Sequence, residues 1–259
     1  MSVAPSWVSV FLDVAPASWE TLPAFWAAVS GTTLSPPRGA ASEFRTLVPA
    51  SGDDHLRVQR RGADDPGPTR LHLDLHVTDA GPAAATAVDL GAAVVHRSEH
   101  GYVVLRSPGG LTLCFVHHPA SRRSAATTWT SSEGRRHRSQ VDQACLDVPP
   151  DAYDAEVSFW AALTGWETRA STTLPCFTSL VRPEGQPVRL LLQRLDEAAP
   201  GASATAHPDL ATDDRPAEVA RHVALGARVL AEHPWWTVLA VPDGLAYCVT
   251  DRAPLPSPA

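Results

Sequence analysis

The chain has no lysine: all 21 of its basic residues are arginine. They are outnumbered by 28 acidic residues, giving a formal charge of −7, which excludes the basic footprint of a nucleic-acid binder. No apolar run reaches the roughly 18 residues of a membrane span, and no basic-then-apolar leader opens the sequence. A cytoplasmic protein without membrane contact is expected. Its four cysteines, at 114, 145, 176 and 248, never fall into a C-x-x-C spacing, so a zinc knuckle and a dithiol redox motif are both excluded. Buried free thiols are expected instead, because unpaired cysteine packs as a small hydrophobe. The sequence also lacks a G-x-S-x-G elbow, a phosphate-cradling glycine loop and H-E-x-x-H.

What the chain does have is itself, twice. Phe25-Trp26-Ala-Ala-Val-Ser-Gly31 returns 134 positions later as Phe159-Trp160-Ala-Ala-Leu-Thr-Gly165. Leu12-Asp13-Val14 returns as Leu146-Asp147-Val148 at the same shift. His72-x-Asp74-Leu75 reappears as His207-x-Asp209-Leu210, and Cys114 as Cys248. Two homologous domains follow, at 1–118 and 140–253. Between them 119–139 is polar and arginine-rich and reads as a linker; the proline-rich tail is 254–259.

Within the first copy, residues 8–14 alternate as a strand does. Leu22, Phe25, Trp26 and Val29 share one helical face, with Thr21 as a candidate N-cap and Gly31 as the stop. Strand-like segments follow at Phe44–Val48, Leu56–Arg60 and 71–77. An alanine-rich helix then starts at Asp79 and ends at Leu90-Gly91. Strands at 94–97, 102–105 and 111–116 complete the copy. Strand alternation places His72, Asp74 and His76 on one face of their strand, and Trp7, Ser9, Phe11 and Asp13 on one face of the first. In the second copy the matching faces carry Gln143, Cys145 and Asp147, with His207 and Asp209. A curved sheet so lined is a candidate small-molecule cup.

The segments HLDLHVTD, LGA and VLRSPGGLTLCFV, with HPDLATDDRPAEVARHVALGA and VLAVPDGLAYCV in the second copy, resemble the glyoxalase-like and bleomycin-resistance-like branch of the vicinal oxygen chelate superfamily. The resemblance covers nearly the whole chain outside the linker and tail. It implies an α+β fold of two tandem domains, each of paired βαβββ modules forming a curved-sheet cup. It also implies a test for a divalent metal, held in active members by His or Gln on the first strand, His or Glu opening the second module, and Glu on the last strand. Here His72 and His207 match the second position. The first falls on Trp7 and near Val141, and Cys114 and Cys248 replace the last glutamate, so no cofactor is expected. A metal site rebuilt from His72 and His76 is the weaker alternative, available once because Ala211 replaces His76 in the second copy.

The same residues admit several functions. A first class is a binding or sequestering protein for an aromatic or hydrophobic molecule. Its lining would draw on Trp7, Phe11, Tyr102, Trp235 and Trp236 together with His72, Asp74, His76, Cys114, His207, Asp209 and Cys248. A second is a lyase, isomerase or dioxygenase using the rebuilt metal site or acid–base chemistry at His72 and Asp74. Vestigial cups serving as an interaction scaffold are the third. The retention of His, Asp and Cys in both copies favours a structural role for that trio. A monomer with pseudo-two-fold domains and a homodimer are both compatible.

Overall fold

The computed structural model describes residues 2–62, 64–65, 67–131 and 134–256. The first copy supplies β1 (Trp7–Val14), a short 3₁₀ turn (Pro16–Ser18), α1 (Leu22–Ser30), β2 (Thr33–Leu34), β3 (Phe44–Val48), β4 (Leu56–Arg60), β5 (Arg70–His76), α2 (Ala80–Asp89), β6 (Ala93–Arg97), β7 (Val103–Arg106) and β8 (Thr112–Val116). Next come β9 (Thr127–Thr130), β10 (Arg136–Val148), α3 (Tyr153–Thr164), β11 (Thr168–Ala170), β12 (Phe177–Leu180), β13 (Arg189–Arg194), β14 (Thr205–Thr212), α4 (Arg215–Ala224), β15 (Arg228–Glu232), β16 (Trp236–Ala240) and β17 (Ala246–Thr250). The segment 119–139, expected as a linker, therefore carries β9 and the start of β10, antiparallel with Trp129 opposite His137.

Each copy forms its own sheet. The orders are β2-β3-β4-β1-β5-β8-β7-β6 and β11-β12-β13-β10-β14-β17-β16-β15, with β9 added beside β10. In both, the sequence returns to the middle by a parallel pairing, β5 with β8 and β14 with β17. A parallel pair needs a long crossover, and α2 with β6 and β7, or α4 with β15 and β16, provide it.

The compact units do not follow the copies. One comprises residues 1–10, 71–121 and 144–206; the other comprises 11–70, 122–143 and 207–259. The first unit therefore holds α2 and α3 and the second holds α1 and α4.

In the first unit, Glu156 on α3 is fully buried. Its carboxylate accepts from Gly109 N–H at 2.6 Å and from the Trp160 indole at 2.7 Å. Gly165 ends α3 in the left-handed region at φ +72°, where a side chain would be strained and would meet Ser2.

In the second unit, α1 ends in the same way at Gly31, φ +68°. The candidate cap Thr21 makes no side-chain bond to the helix, whereas Asp79 on α2 accepts from Gly81 N–H, as its position predicted. Phe25 and Trp26 pack edge-on against Tyr247 of β17, at 6.3 and 5.3 Å.

A charged cluster lies beside this packing. Glu218 on α4, fully buried, accepts from His137 at 2.8 Å, from His222 at 3.0 Å and from the Arg221 guanidinium at 2.7 and 2.9 Å. Arg221 also donates to the Ala28 and Val29 carbonyls at the end of α1 and stacks over Trp129 at 3.6 Å. With His222 Nε2–H donating to Glu218, its Nδ1 accepts the Tyr247 hydroxyl at 3.0 Å, so both ring nitrogens are satisfied in the neutral form. Burial alone would raise the Glu218 pKa, but the bonds and charges of Arg221 and His222 outweigh it and hold the carboxyl far below the usual range. Burial lowers the His222 pKa against the pull of Glu218.

Both groups bind a proton more weakly when folded, so both stabilise the fold at neutral pH. The His222 contribution is lost as pH falls below its unfolded value near 6.5, and the Glu218 contribution below 4.5. Thermal melts should therefore show stability falling steadily from about pH 7 toward acid. Glu218→Ala strands two histidines and an arginine. It should cost about 3–5 kcal/mol in a denaturant titration and remove the part of the acid dependence below about pH 4.5, while the His222 part above it remains.

Candidate functional site

Parallel pairing sets the geometry of the candidate residues. Asp74 and Cys114 are Cα partners across β5 and β8, and Asp209 and Cys248 across β14 and β17. Two residues upstream on the same face stand His72 and His207.

In the first unit, His72 Nε2 lies 3.4 Å from Asp74 Oδ1. One ligand atom each from His72, Asp74 and Cys114 falls within 4.8 Å of the others, and all three residues are buried. Trp7, on the adjoining part of β1, is fully buried as well. His76, one turn of the pleat further along, is committed elsewhere. Its Nδ1–H donates to the His118 carbonyl at 2.8 Å, and its Nε2 accepts the Ser9 hydroxyl at 2.9 Å. With both nitrogens engaged, no lone pair remains for a metal. The site rebuilt from His72 and His76 is corrected accordingly: Asp74 and Cys114, not His76, stand beside His72. Asp74 supplies the third potential donor that the sequence pattern lacked at the matching positions.

In the second unit, His207 Nε2 lies 3.2 Å from Asp209 Oδ1 and 3.6 Å from Cys248 Sγ. Gln143 on β10 donates its side-chain amide to Asp209 Oδ2. Gln143 Oε1 is buried with no hydrogen-bond partner among the described residues, an uncommon state for an acceptor in a folded interior, and the buried Asp209 Oδ1 has the His207 ring beside it outside hydrogen-bond geometry. Gln143 thus joins this set although sequence reasoning placed it only on a polar strand face. Its signal was the alternation of Gln143, Cys145 and Asp147.

The aromatic candidates do not gather. Phe11, in the second unit, packs edge-on against Phe44 at 6.5 Å, with the Arg57 guanidinium 5.8 Å from its ring. Tyr102 precedes β7 and meets His96 at 6.3 Å, on the far side of the sheet order from β5. Trp235 is 52% exposed and lies just outside β16; Trp236 is half-buried and stacks on His233 at 4.5 Å. Val141, near the expected first-strand ligand position, is buried, and its carbonyl accepts from His55.

A family model for the glyoxalase-like domain matches residues 9–116 and again residues 143–250. The chain belongs to the glyoxalase-like family, as a tandem member within the vicinal oxygen chelate superfamily. Among solved structures, this glyoxalase-like chain is similar to a triple mutant of 4-hydroxymandelate synthase from Streptomyces coelicolor, with TM-score 0.62 and 15% identity over 98% of this chain and 95% of that one. It is similar to a catechol 2,3-dioxygenase at TM-score 0.57 and 14% identity, covering 98% and 90%. A fusion of a xylose isomerase-like TIM barrel with a 4-hydroxyphenylpyruvate dioxygenase matches at TM-score 0.63 and 14% identity, and the present chain spans 49% of that protein's length. At such identities the likeness is one of fold. No curated protein matches the sequence.

The metal that the superfamily implies can be tested against the donors present. A non-haem iron centre of the oxygenase kind uses two imidazoles and a carboxylate. His72, Asp74 and Cys114 offer one imidazole, one carboxylate and one thiol, and His76 is engaged. The set does not fit an oxygen-activating iron centre. Its mixed nitrogen, oxygen and sulfur donors do fit a thiophilic divalent ion such as zinc.

None of the four cysteines is in a disulfide, and Cys114, Cys145 and Cys248 are buried while Cys176 is part-exposed. Titration of the native protein with a thiol reagent should therefore give one fast-reacting cysteine, removed by Cys176→Ser, and three that react only on unfolding.

Proposed function

We propose that this glyoxalase-like chain binds a small aromatic or hydrophobic organic molecule and does not perform iron-dependent oxygenation. The observation that carries the reading is the single imidazole in the His72-Asp74-Cys114 group, with His76 held by Ser9 and the His118 carbonyl. In such a role Trp7, on the strand beside β5, supplies apolar contact, and the His72-Asp74 pair supplies one polar anchor that orients the ligand. Purified protein should contain iron and manganese well below one equivalent. A screen of aromatic metabolites by thermal shift should find a stabilising ligand, worth about 2.7 kcal/mol at 100 times its dissociation constant. Stoichiometric iron that disappears in His72→Ala would sink this reading.

A second reading, an enzyme built on a thiophilic ion, is favoured by the convergence of His72, Asp74 and Cys114 within 4.8 Å. Those three residues would hold the ion, which would act as a Lewis acid while its ligands fix the bound molecule. Cobalt substitution separates the two readings without an assay. An intense sulfur-to-cobalt absorption lost in Cys114→Ser supports the second, and its absence supports the first.

A further inference from the structure

The second compact unit contains a recess that no part of the His-Asp-Cys chemistry uses. It is a cavity of ≈ 220 Å³ at the start of α1, lined by Trp19, Glu20, Pro23, Leu34, Ser42 and Arg45 among others. Alternation along β3 explains how Arg45 comes to face it. Phe44 and Thr46 point to one side, where Phe44 meets Phe11; Arg45 and the buried Leu47 point to the other. Neighbouring Arg38 spends its guanidinium on Ser35 and Thr46, and Arg57 and Arg60 are likewise bonded. Arg45 differs. Among the described residues its guanidinium makes no hydrogen bond or ion pair, and its Nε is sealed from solvent without a partner. The outer nitrogens of this half-buried cation remain accessible from the recess and have no ion-pair partner among the described residues, so they can receive an anion brought from outside.

We propose that this recess binds a small monocarboxylate with a flat apolar body. The carboxylate faces the Arg45 guanidinium, whose planar donors match it edge to edge. The first turn of α1 forms part of the wall, has no acidic side chain and is not capped by Thr21, so its field favours the same anion. Trp19, Pro23 and Leu34 give the apolar walls that a ring would rest on. Glu20, exposed at the rim, sets the charge limit: one negative charge is matched by Arg45, whereas a doubly charged phosphate group is repelled. The site stands apart from the proposed cup ligand and does not depend on it.

Benzoate is the probe, with benzamide as its uncharged counterpart and inorganic phosphate as the multiply charged one, all at equal ionic strength. Benzoate should raise the melting temperature of the full chain, and Arg45→Gln should weaken its apparent affinity by at least about tenfold. Benzamide should leave both proteins unchanged. If Arg45→Gln does not fold, Trp19→Ala should weaken benzoate comparably by removing the ring's wall. No benzoate effect, an equal effect in Arg45→Gln or Trp19→Ala, or a larger effect from phosphate than from benzoate would each overturn the proposal.

Discussion

The parallel contact between β5 and β8, repeated between β14 and β17, is the constraint on which the remaining structure turns. In each sheet this parallel pair joins β5 or β14 to the antiparallel set that follows its crossover, β8-β7-β6 or β17-β16-β15, and so fixes the register between them. A one-residue slip between β5 and β8 would turn Cys114 to the opposite face from His72 and Asp74 and put the leucines of the two strands out of step. The chemistry-bearing group is thus a by-product of how the sheet closes. An aspartate and a cysteine become neighbours because their strands must run side by side in one direction.

Duplication separates what the scaffold needs from what one copy adds. His72 and Asp74 stand as close as His207 and Asp209 do, and in both copies the aspartate pairs with a cysteine across the parallel strands. Around them the copies diverge. Ser9, which holds His76, corresponds to Gln143, which binds Asp209 and leaves its own buried Oε1 unanswered. Leu22 corresponds to Glu156, so the Trp160 indole has a carboxylate partner while the buried Trp26 indole has none and lies against Tyr247 instead. Two domains with one ancestry have solved the same packing with different polar chemistry.

Much of this was legible in the residues. Alternation and the caps at Asp79 and Gly31 located the strands and helices to within a residue or two, because those signals are local. The face shared by His72 and Asp74 was legible for the same reason. Non-local facts were not. His76 looked like a ligand until its partners, 42 and 67 positions away, were in view. The arginines and His137 of 119–139 read as a solvated connector because nothing in that stretch announces Glu218 or Asp213, their partners on and before α4. The aromatic residues were grouped by type, yet Tyr102, Trp235 and Phe11 stand on different parts of the fold.

The mismatch between repeats and compact units has a consequence for how such a chain can change. Each compact body takes a stretch from both repeats, and β1 and β10 each cross from one body to the other. A single repeat, severed from its twin, retains its sheet order but leaves both bodies half-built. The gene can drift at the level of individual side chains, as the two halves already have. A shorter chain of one repeat would need a second copy of itself to supply the stretches that complete each body.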